Sequence, residues 1–219
     1  MLELPLQHDP RRPLHVLCLG AHSDDIEIGC GGTILRLIEL YLAASFTWIV
    51  FSAESDTRKH EALAGAARFL ADAAAQNVVV KDFRVTFFPA DATAIKEYFE
   101  ERKSAGDPDL IFTHYRHDLH QDHKLISDLT WNTFRNSLIL EYEIPKWDGD
   151  LGRPNVYVPV ERQHADRKVE ILLDAFPSQR DKHWFSEETF RAVMRIRGIE
   201  SKAPSGYAEA FHCRKLAIG

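Results

Sequence analysis

The chain has 219 residues, of which 45% are hydrophobic and 27% are charged, enough for one substantial core but short for two. We therefore expect a single domain over residues 1–219. The formal net charge of −6 offers no basic surface for a phosphate backbone, so no nucleic-acid partner is expected. No apolar run reaches the roughly 20 residues of a membrane-spanning helix, and the N-terminus lacks a secretory signal pattern. We therefore expect a cytoplasmic protein without membrane attachment.

Strand-like and helix-like runs alternate over the first 140 residues or so. The strand-like runs are continuously apolar, as in strands buried on both faces, and the helix-like runs favour helix by periodicity or alanine content. The predicted strands are 15–21, 47–53, 85–90 and 110–116, and the predicted helices are 33–44, 60–76 and 93–106. A glycine-rich bend is predicted at 29–32. This alternation predicts an α/β, Rossmann-like layered fold with a mainly parallel sheet flanked by helices.

The remainder of the chain has a different pattern, with β-like runs around a turn-rich loop at 145–154. The predicted strands here are 137–144, 155–160 and 207–218, and the predicted helices are 166–176 and 187–200. Aromatic and charged side chains in and near the loop are candidates for a substrate mouth, although packing and turn formation explain such residues equally well. They are Tyr142, Trp147, Asp148, Asp150 and Arg153.

Two dense polar clusters follow two of the predicted strands. The sequence AHSDDIEIGCGG begins at residue 21, directly after the first strand, and HYRHDLHQDH begins at residue 114, at the end of the fourth. Ligands of open α/β sheets bind outside the carboxyl ends of the strands. If these two strands are neighbours, both clusters open into one crevice.

Such a set of imidazoles and carboxylates suits a hydrolytic metal ion. His22 and Asp25, three residues apart on a bend, can face one point, and His123 can supply the third ligand. This His/Asp/His set suits Zn²⁺ and tolerates Fe²⁺, cobalt or manganese. With three protein donors and no thiolate, the predicted site is catalytic rather than structural.

Neighbouring residues then acquire candidate roles. Asp24 is the candidate general base. His120 is expected to meet the oxyanion or protonate the leaving amine, and Asp122 to orient His120 and raise its pKa. Read separately, an Asp-Asp pair also fits a helix N-cap, and a HxxH pair a solvated helix face. His114 is expected to be a core or supporting histidine rather than a ligand, and His117 has no assigned role.

The remaining polar motifs receive structural interpretations. Structural roles are expected for His8, His15, His60, His164, His183 and His212. The three cysteines, Cys18, Cys30 and Cys213, are expected to be reduced thiols without a catalytic role.

The two clusters resemble the signatures of the PIG-L/LmbE-like zinc-dependent N-acetylglucosaminyl deacetylases. AHSDDIEIGCGG resembles their AHPDDE signature and DLHQDH their HxDH signature, in the same order and about 100 residues apart. The resemblance implies zinc ligands at His22, Asp25 and His123 and a general base at Asp24. It also implies that His120, with Asp122, assists the oxyanion and the leaving group.

The resemblance also implies a substrate contact. In the family an Arg followed by a Glu opens the helix after the second strand, and Arg58 and Glu61 match that spacing. The resemblance implies that Arg58 contacts the substrate and that Glu61 has a structural role. Ser23 replaces the usual proline, and Glu27 follows the aspartate pair by two residues instead of directly. Neither departure removes a ligand. Some relatives act on a membrane glycolipid and carry an anchor that this sequence lacks, which favours a soluble substrate.

The sequence therefore predicts a metal-dependent hydrolase that removes an N-acyl group, most simply N-acetyl, from a soluble amino sugar or amino-sugar conjugate. Another metallohydrolase, for an amide, an ester or a phosphoester, remains an alternative. So does a non-catalytic Rossmann-type nucleotide-binding module. Against that module, GCGGTIL does not fit GxGxxG, and acidic residues at the strand end would repel a pyrophosphate.

Overall fold

A computed structural model describes residues 5–6, 9, 11–53 and 55–217; His8 and the last residue of the predicted strand 207–218 lie outside this part of the chain. The strands are β1 (His15–Gly20), β2 (Ser45–Val50), β3 (Ala75–Val80), β4 (Leu110–His114), β5 (Leu138–Tyr142), β6 (Val156–Pro159) and β7 (Ala208–His212). The α-helices are α1 (Asp25–Leu40), α2 (Asp56–Phe69), α3 (Ala92–Ser104), α4 (Gln121–Thr133), α5 (Arg162–Ala175) and α6 (Glu187–Ser201).

The strands form one seven-stranded sheet in the order β3-β2-β1-β4-β5-β7-β6. The first five strands in chain order run parallel, whereas β7 is antiparallel to both β5 and β6. The predicted α/β fold with a mainly parallel sheet is therefore confirmed. Because β1 and β4 are neighbours, their carboxyl ends open at the same edge of the sheet.

Alternate strand residues feed two separate cores, one on each face of the sheet. Val16 and Cys18 of β1 join the core built with α1, α2, α5 and α6, while Leu17 and Leu19 join the core built with α3 and α4. This alternation follows from the two-residue period of a strand. None of the helices in the described ranges combines the length and apolar character that a bilayer crossing requires.

The predicted bend at residues 29–32 is wrong, because these glycines lie inside α1, which begins at Asp25. Their role is close packing. A Cβ at Gly29 would lie 2.2 Å from Cδ2 of Tyr142, and one at Gly31 would lie 2.6 Å from Cε1 of Phe69. The glycines let α1 lie close to β5 and α2, and the same helix carries Asp25 in its first turn.

Further differences from the sequence prediction lie around β3. The alanine-rich helix ends at Phe69, and Ala75 and Gln76 begin β3, where the β-branched residues that follow favour a strand. The predicted strand 85–90 is a turn instead. Thr86 has a φ of 64°, and the amides of Thr86 and Phe88 donate to the carboxylate of Asp122 instead of to a neighbouring strand.

Candidate active site

The two polar clusters meet at the carboxyl ends of β1 and β4. Asp24 occupies the N-cap position of α1, and His120 the N-cap position of α4, a helix for which the sequence prediction had no element. The side chain of His120 accepts a hydrogen bond from the amide of Asp122, which satisfies an otherwise unpaired donor of the first helical turn. Both clusters therefore project from the starts of helices, where backbone N–H groups favour negative charge.

Three donor atoms form a compact triangle at this position. Nδ1 of His22 lies 3.1 Å from Nε2 of His123 and 3.4 Å from Oδ2 of Asp25, and the third side, His123 to Asp25, measures 3.6 Å. Ligands about 2.1 Å from a tetrahedral metal ion lie about 3.4 Å from one another. The spacing and the chemistry of these donors therefore fit one metal ion, and the structure brings together the three residues expected from the sequence.

Two other histidines lie close enough to compete for this role. Ligand atoms of His22, His120 and His123 lie within 4.8 Å of one another, as do those of Asp25, His114 and His123. The Nε2 atom of His114, however, accepts a 2.9 Å hydrogen bond from the amide of Ala21, and its ring stacks on His123 at 3.9 Å. His114 thus lies behind the ring of His123, where the Ala21 amide occupies its Nε2 atom.

Asp24 is buried beside the triangle. Its Oδ1 accepts a 3.0 Å hydrogen bond from Arg58, while its Oδ2 has no hydrogen-bond partner within the described residues. Burial raises the pKa of Asp24, and the nearby charge of Arg58 opposes that shift. A buried carboxylate oxygen without a hydrogen-bond partner destabilises the folded state unless a ligand or a water molecule binds it. Oδ2 of Asp24 is therefore available to a water molecule or a substrate.

Arg58 is fixed by more than Asp24. It donates to Glu61 at 2.8 Å, and Glu61 in turn accepts from both the amide and the hydroxyl of Ser178, at 2.9 and 2.7 Å. The guanidinium also lies 5.8 Å from the ring centroid of Phe176. The observed contacts of Arg58 and Glu61 hold Asp24 in place, and through Ser178 they connect it to the loop that follows α5.

Asp122 lies in a different place from the one expected. Its carboxylate contacts Nε2 of His22 at 3.1 Å and accepts from the amides of Thr86 and Phe88, at 2.7 and 3.2 Å. The reason is geometric: the side chain of Asp122 points back from the first turn of α4 toward β1, whereas His120 is contacted by its backbone amide. The carboxylate orients the metal-ligand candidate His22 and not His120.

The expected rise in the pKa of His120 is also absent. Burial, followed by the charge of His22, lowers its pKa, and Asp122 offsets this only in part. Because Nδ1 of His120 accepts from the amide of Asp122 at 3.2 Å, a neutral ring carries its proton on Nε2. The side chain can therefore donate a hydrogen bond without being protonated twice.

Opposite effects act on the pKa values of the two candidate ligand histidines. Burial alone disfavours the charged form of His22, but Asp25 and Asp122 outweigh it and raise its pKa to about 10. Burial and the neighbouring His114 lower the pKa of His123 to about 3. Because a neutral imidazole is the form that binds a metal ion, metal binding at His22 competes with its protonation.

The sequence prediction missed one residue of the site. Asp118 is buried, contacts Nδ1 of His123 at 2.8 Å and accepts at its other oxygen from the amide of His120 at 2.8 Å. Lys146, from the loop after β5, lies 3.0 Å from the same carboxylate. In the sequence, Asp118 stands five residues before His123 in HDLHQDH, and this spacing was the one local indication of its role. Lys146, the partner of Asp118, is distant in sequence.

His117, which had no assigned role, lies against the ring of Tyr115.

The chain can be compared with known proteins. Residues 17–134 match the family described as PIG-L: GlcNAc-PI de-N-acetylase. The uncharacterized deacetylase YaiS of Escherichia coli (strain K12) is 27% identical over 167 residues, which cover 72% of this chain and 88% of YaiS.

Two solved structures share the fold at low identity. The N,N'-diacetylchitobiose deacetylase from Pyrococcus horikoshii is 18% identical with a TM-score of 0.67, and the match covers 95% of this chain and 86% of that one. The 4-carboxy-2-hydroxymuconate hydratase GalB from Pseudomonas putida KT2440 is also 18% identical, with a TM-score of 0.71 and coverage of 94% and 98%. The family match spans more than half of the chain and includes both polar clusters. The chain therefore belongs to the PIG-L: GlcNAc-PI de-N-acetylase family.

Proposed function

We propose that this protein is a metal-dependent hydrolase that removes an N-acyl group, most simply N-acetyl, from a soluble amino sugar or amino-sugar conjugate. The observation that carries the proposal is the triangle of His22, Asp25 and His123 with the unpartnered carboxylate oxygen of Asp24 beside it. Family membership supports the acyl-amide class, since the family is described by an N-deacetylase.

His22, Asp25 and His123 would hold the metal ion. Two imidazole nitrogens and one carboxylate oxygen favour Zn²⁺ and accept Fe²⁺. When bound, the ion supplies Lewis acidity toward the amide carbonyl and lowers the pKa of water. Asp122 holds His22 through Nε2, and Asp118 holds His123 through Nδ1, so each ring offers its other nitrogen to the ion.

Asp24 then acts as the general base. Its unpartnered Oδ2 takes a proton from the attacking water, while Arg58 fixes the other oxygen at 3.0 Å and keeps the carboxylate oriented. A raised pKa, the direction found for Asp24, brings a carboxylate closer to the range in which a base both accepts and returns a proton at neutral pH. The protonated Asp24 passes this proton to the departing amine.

His120 meets the charge that develops on the carbonyl oxygen. Its Nδ1 is occupied by the amide of Asp122, so Nε2–H is the donor that remains for the substrate. A neutral donor of this kind stabilises an oxyanion without a separate protonation step. Arg58 is bound by Asp24 and Glu61. Its first role is to position Asp24, and its second is to contact a sugar hydroxyl.

We also propose that one domain spans residues 1–219 and that the enzyme is cytoplasmic. The single sheet takes strands from His15 to His212, which leaves no boundary between separate units in the described ranges. The formal net charge of −6 favours a small-molecule substrate over a nucleic acid.

The test is a substrate screen with zinc-loaded protein. The panel contains N-acetylglucosamine, its methyl glycoside and N,N'-diacetylchitobiose, together with a phosphate monoester and an α,β-unsaturated carboxylic acid, because one protein of this fold is a hydratase. Release of free amine from the N-acetyl sugars, with no change in the last two compounds, is expected. Phosphate release or hydration without amine release would contradict the proposal and favour one of those other reactions.

A further inference from the structure

The loop between β3 and α3 contains a strained backbone position. Thr86 has a φ of 64°, and among the described residues other than glycine only Lys202 also has a positive φ. Lys202 caps the C-terminus of α6, where left-handed residues are common. Thr86 lies in a loop instead, and its branched side chain disfavours this conformation. Such a residue persists only where surrounding contacts hold it.

Two neighbouring side chains at the start of α4 bind the backbone of Thr86. Its amide donates to Oδ2 of Asp122 at 2.7 Å, and its carbonyl accepts a hydrogen bond from the side-chain amide of Gln121. Gln121 occupies the variable position of the HxDH signature. The amide of Phe88 donates to the other oxygen of Asp122 at 3.2 Å. These contacts fix the turn at Thr86 against α4.

The carboxylate of Asp122 also contacts the metal-ligand candidate His22. Nε2 of His22 lies 3.1 Å from Oδ2 of Asp122, so a single oxygen joins the amide of Thr86 to the imidazole. Asp122 is fully buried, which protects these contacts from competition by solvent. A histidine whose second nitrogen is bound to a fixed carboxylate has a defined ring orientation toward a metal ion. The orientation of His22 therefore depends on the backbone of Thr86.

We propose that Thr86 and Gln121 are positioning residues for the metal-ligand candidate His22 and that they act through Asp122. The left-handed backbone of Thr86 directs its amide toward the carboxylate, and Gln121 fixes the same turn through the carbonyl. The side chain of Thr86 is exposed, so the backbone is the part of this residue that the site requires. The inference rests on the proposed function, because it requires His22 to bind the metal ion.

The affinity of the full-length chain for Zn²⁺, measured by competition with a chromophoric chelator, tests this role. Thr86→Pro removes the amide hydrogen and fixes φ at about −65°. We expect the affinity to fall by about 10–100-fold, the usual loss when the support of a metal-binding histidine is removed. Thr86→Gly is the matched control, because glycine keeps the amide and adopts a positive φ without strain. Its affinity should equal that of wild type.

Gln121→Met is a second variant that leaves the loop itself unchanged. It removes the donor to the carbonyl of Thr86 from an exposed side chain, and we expect the affinity for Zn²⁺ to fall again, by a smaller factor than in Thr86→Pro. Wild-type affinity in Gln121→Met, or in a folded Thr86→Pro protein, would overturn the proposal.

An Asp122→Ala background separates positioning from general damage to the fold. If Thr86 and Gln121 act through Asp122, neither Thr86→Pro nor Gln121→Met should weaken Zn²⁺ binding further once that carboxylate is absent. Losses that add to the loss in Asp122→Ala would overturn the proposal.

Amine release from methyl N-acetyl-β-glucosaminide by the zinc-loaded wild type is measured in parallel. Zinc binding without amine release would contradict the proposed deacetylase alone, and the affinities of the variants would still decide the positioning role. A wild-type protein without affinity for Zn²⁺ would overturn both.

Discussion

Asp24 has one carboxylate oxygen bound to Arg58 and one without a partner, and the mechanism requires only the second to carry a proton. Asp24→Asn keeps the shape and the contact with Arg58 but removes the basic oxygen. We expect metal content to stay at about one ion per chain while kcat falls by roughly 10²–10⁴-fold, the usual contribution of a general base. Metal analysis and amine release measure both quantities, and activity within twofold of wild type would remove Asp24 from the mechanism.

Asp122 allows a second test, because the sequence and the structure assign it to different histidines. If its carboxylate orients His22, as the 3.1 Å contact indicates, Asp122→Asn should weaken metal affinity by about 10–100-fold. Competition with a chromophoric chelator measures this. Asp128→Asn, an exposed position on the same helix, should leave affinity unchanged. An Asp122→Asn protein with normal affinity and only slower turnover would instead support a role through His120.

These residues show what sequence could and could not predict. That His22, Asp25 and His123 lie together followed from two polar clusters at neighbouring strand ends and from the family signatures. The contact of Asp122 with His22 could not be predicted, because a carboxylate in the first turn of a helix can reach either forward to its own helix or back to a neighbouring segment. Lys146 was not foreseen either, since a 28-residue separation from Asp118 leaves no local pattern to read.

Among the helices, α1 carries Asp25. A buried ion pair between two later segments of the chain holds this helix in place. Lys168 of α5 donates to the carbonyl of Ile28 and to Glu209 of β7, at 2.5 and 2.6 Å. Glu209 also accepts from the amides of Gly32 and Thr33. In an uninterrupted helix the amide of Gly32 donates to the carbonyl of Ile28. Glu209 and Lys168 therefore bind the donor and the acceptor of one helical turn. The ion pair fixes the middle of α1 against the C-terminal part of the chain.

Lys168→Met should therefore reduce the free energy of unfolding by about 3–5 kcal/mol, because it leaves the buried carboxylate of Glu209 without its counter-charge. Urea unfolding of the metal-free protein measures the change. Lys96→Met removes the lysine of the partly exposed pair with Glu100 on α3 and should cost at most about 1 kcal/mol. Equal losses in the two variants would show that the buried pair has no special part in holding α1.

The predictions came close for β1, β4, α3 and α6, where the hydrophobic pattern is regular, whereas α4 was not predicted. The errors occurred where local preference and tertiary contact disagree. The glycines at 29–32 favour a bend by propensity, yet contacts with Tyr142 and Phe69 require small residues within a helix. Residues 85–90 resemble a strand by composition, but Asp122 recruits two of their amides.

In the molecule as a whole, the proposed metal ligands come from distant segments. His22 and Asp25 belong to the β1–α1 connection and His123 to α4, about 100 residues later. Binding of an ion by the folded state alone should stabilise the protein by about 2.7 kcal/mol at a free metal concentration 100 times Kd. We expect the urea midpoint to rise on addition of Zn²⁺ and to return with chelator. A His123→Ala variant should show no response, and an equal rise in that variant would place the ion elsewhere.

One metal ion at His22, Asp25 and His123 is proposed to support hydrolysis of an N-acyl amino sugar. The most direct measurement is amine release from methyl N-acetyl-β-glucosaminide by chelator-stripped protein titrated with Zn²⁺, with His123→Ala in parallel. We expect activity that rises linearly and reaches a plateau at about one ion per chain, and no activity in the variant. Full activity in stripped protein, or an equal response of His123→Ala, would contradict it.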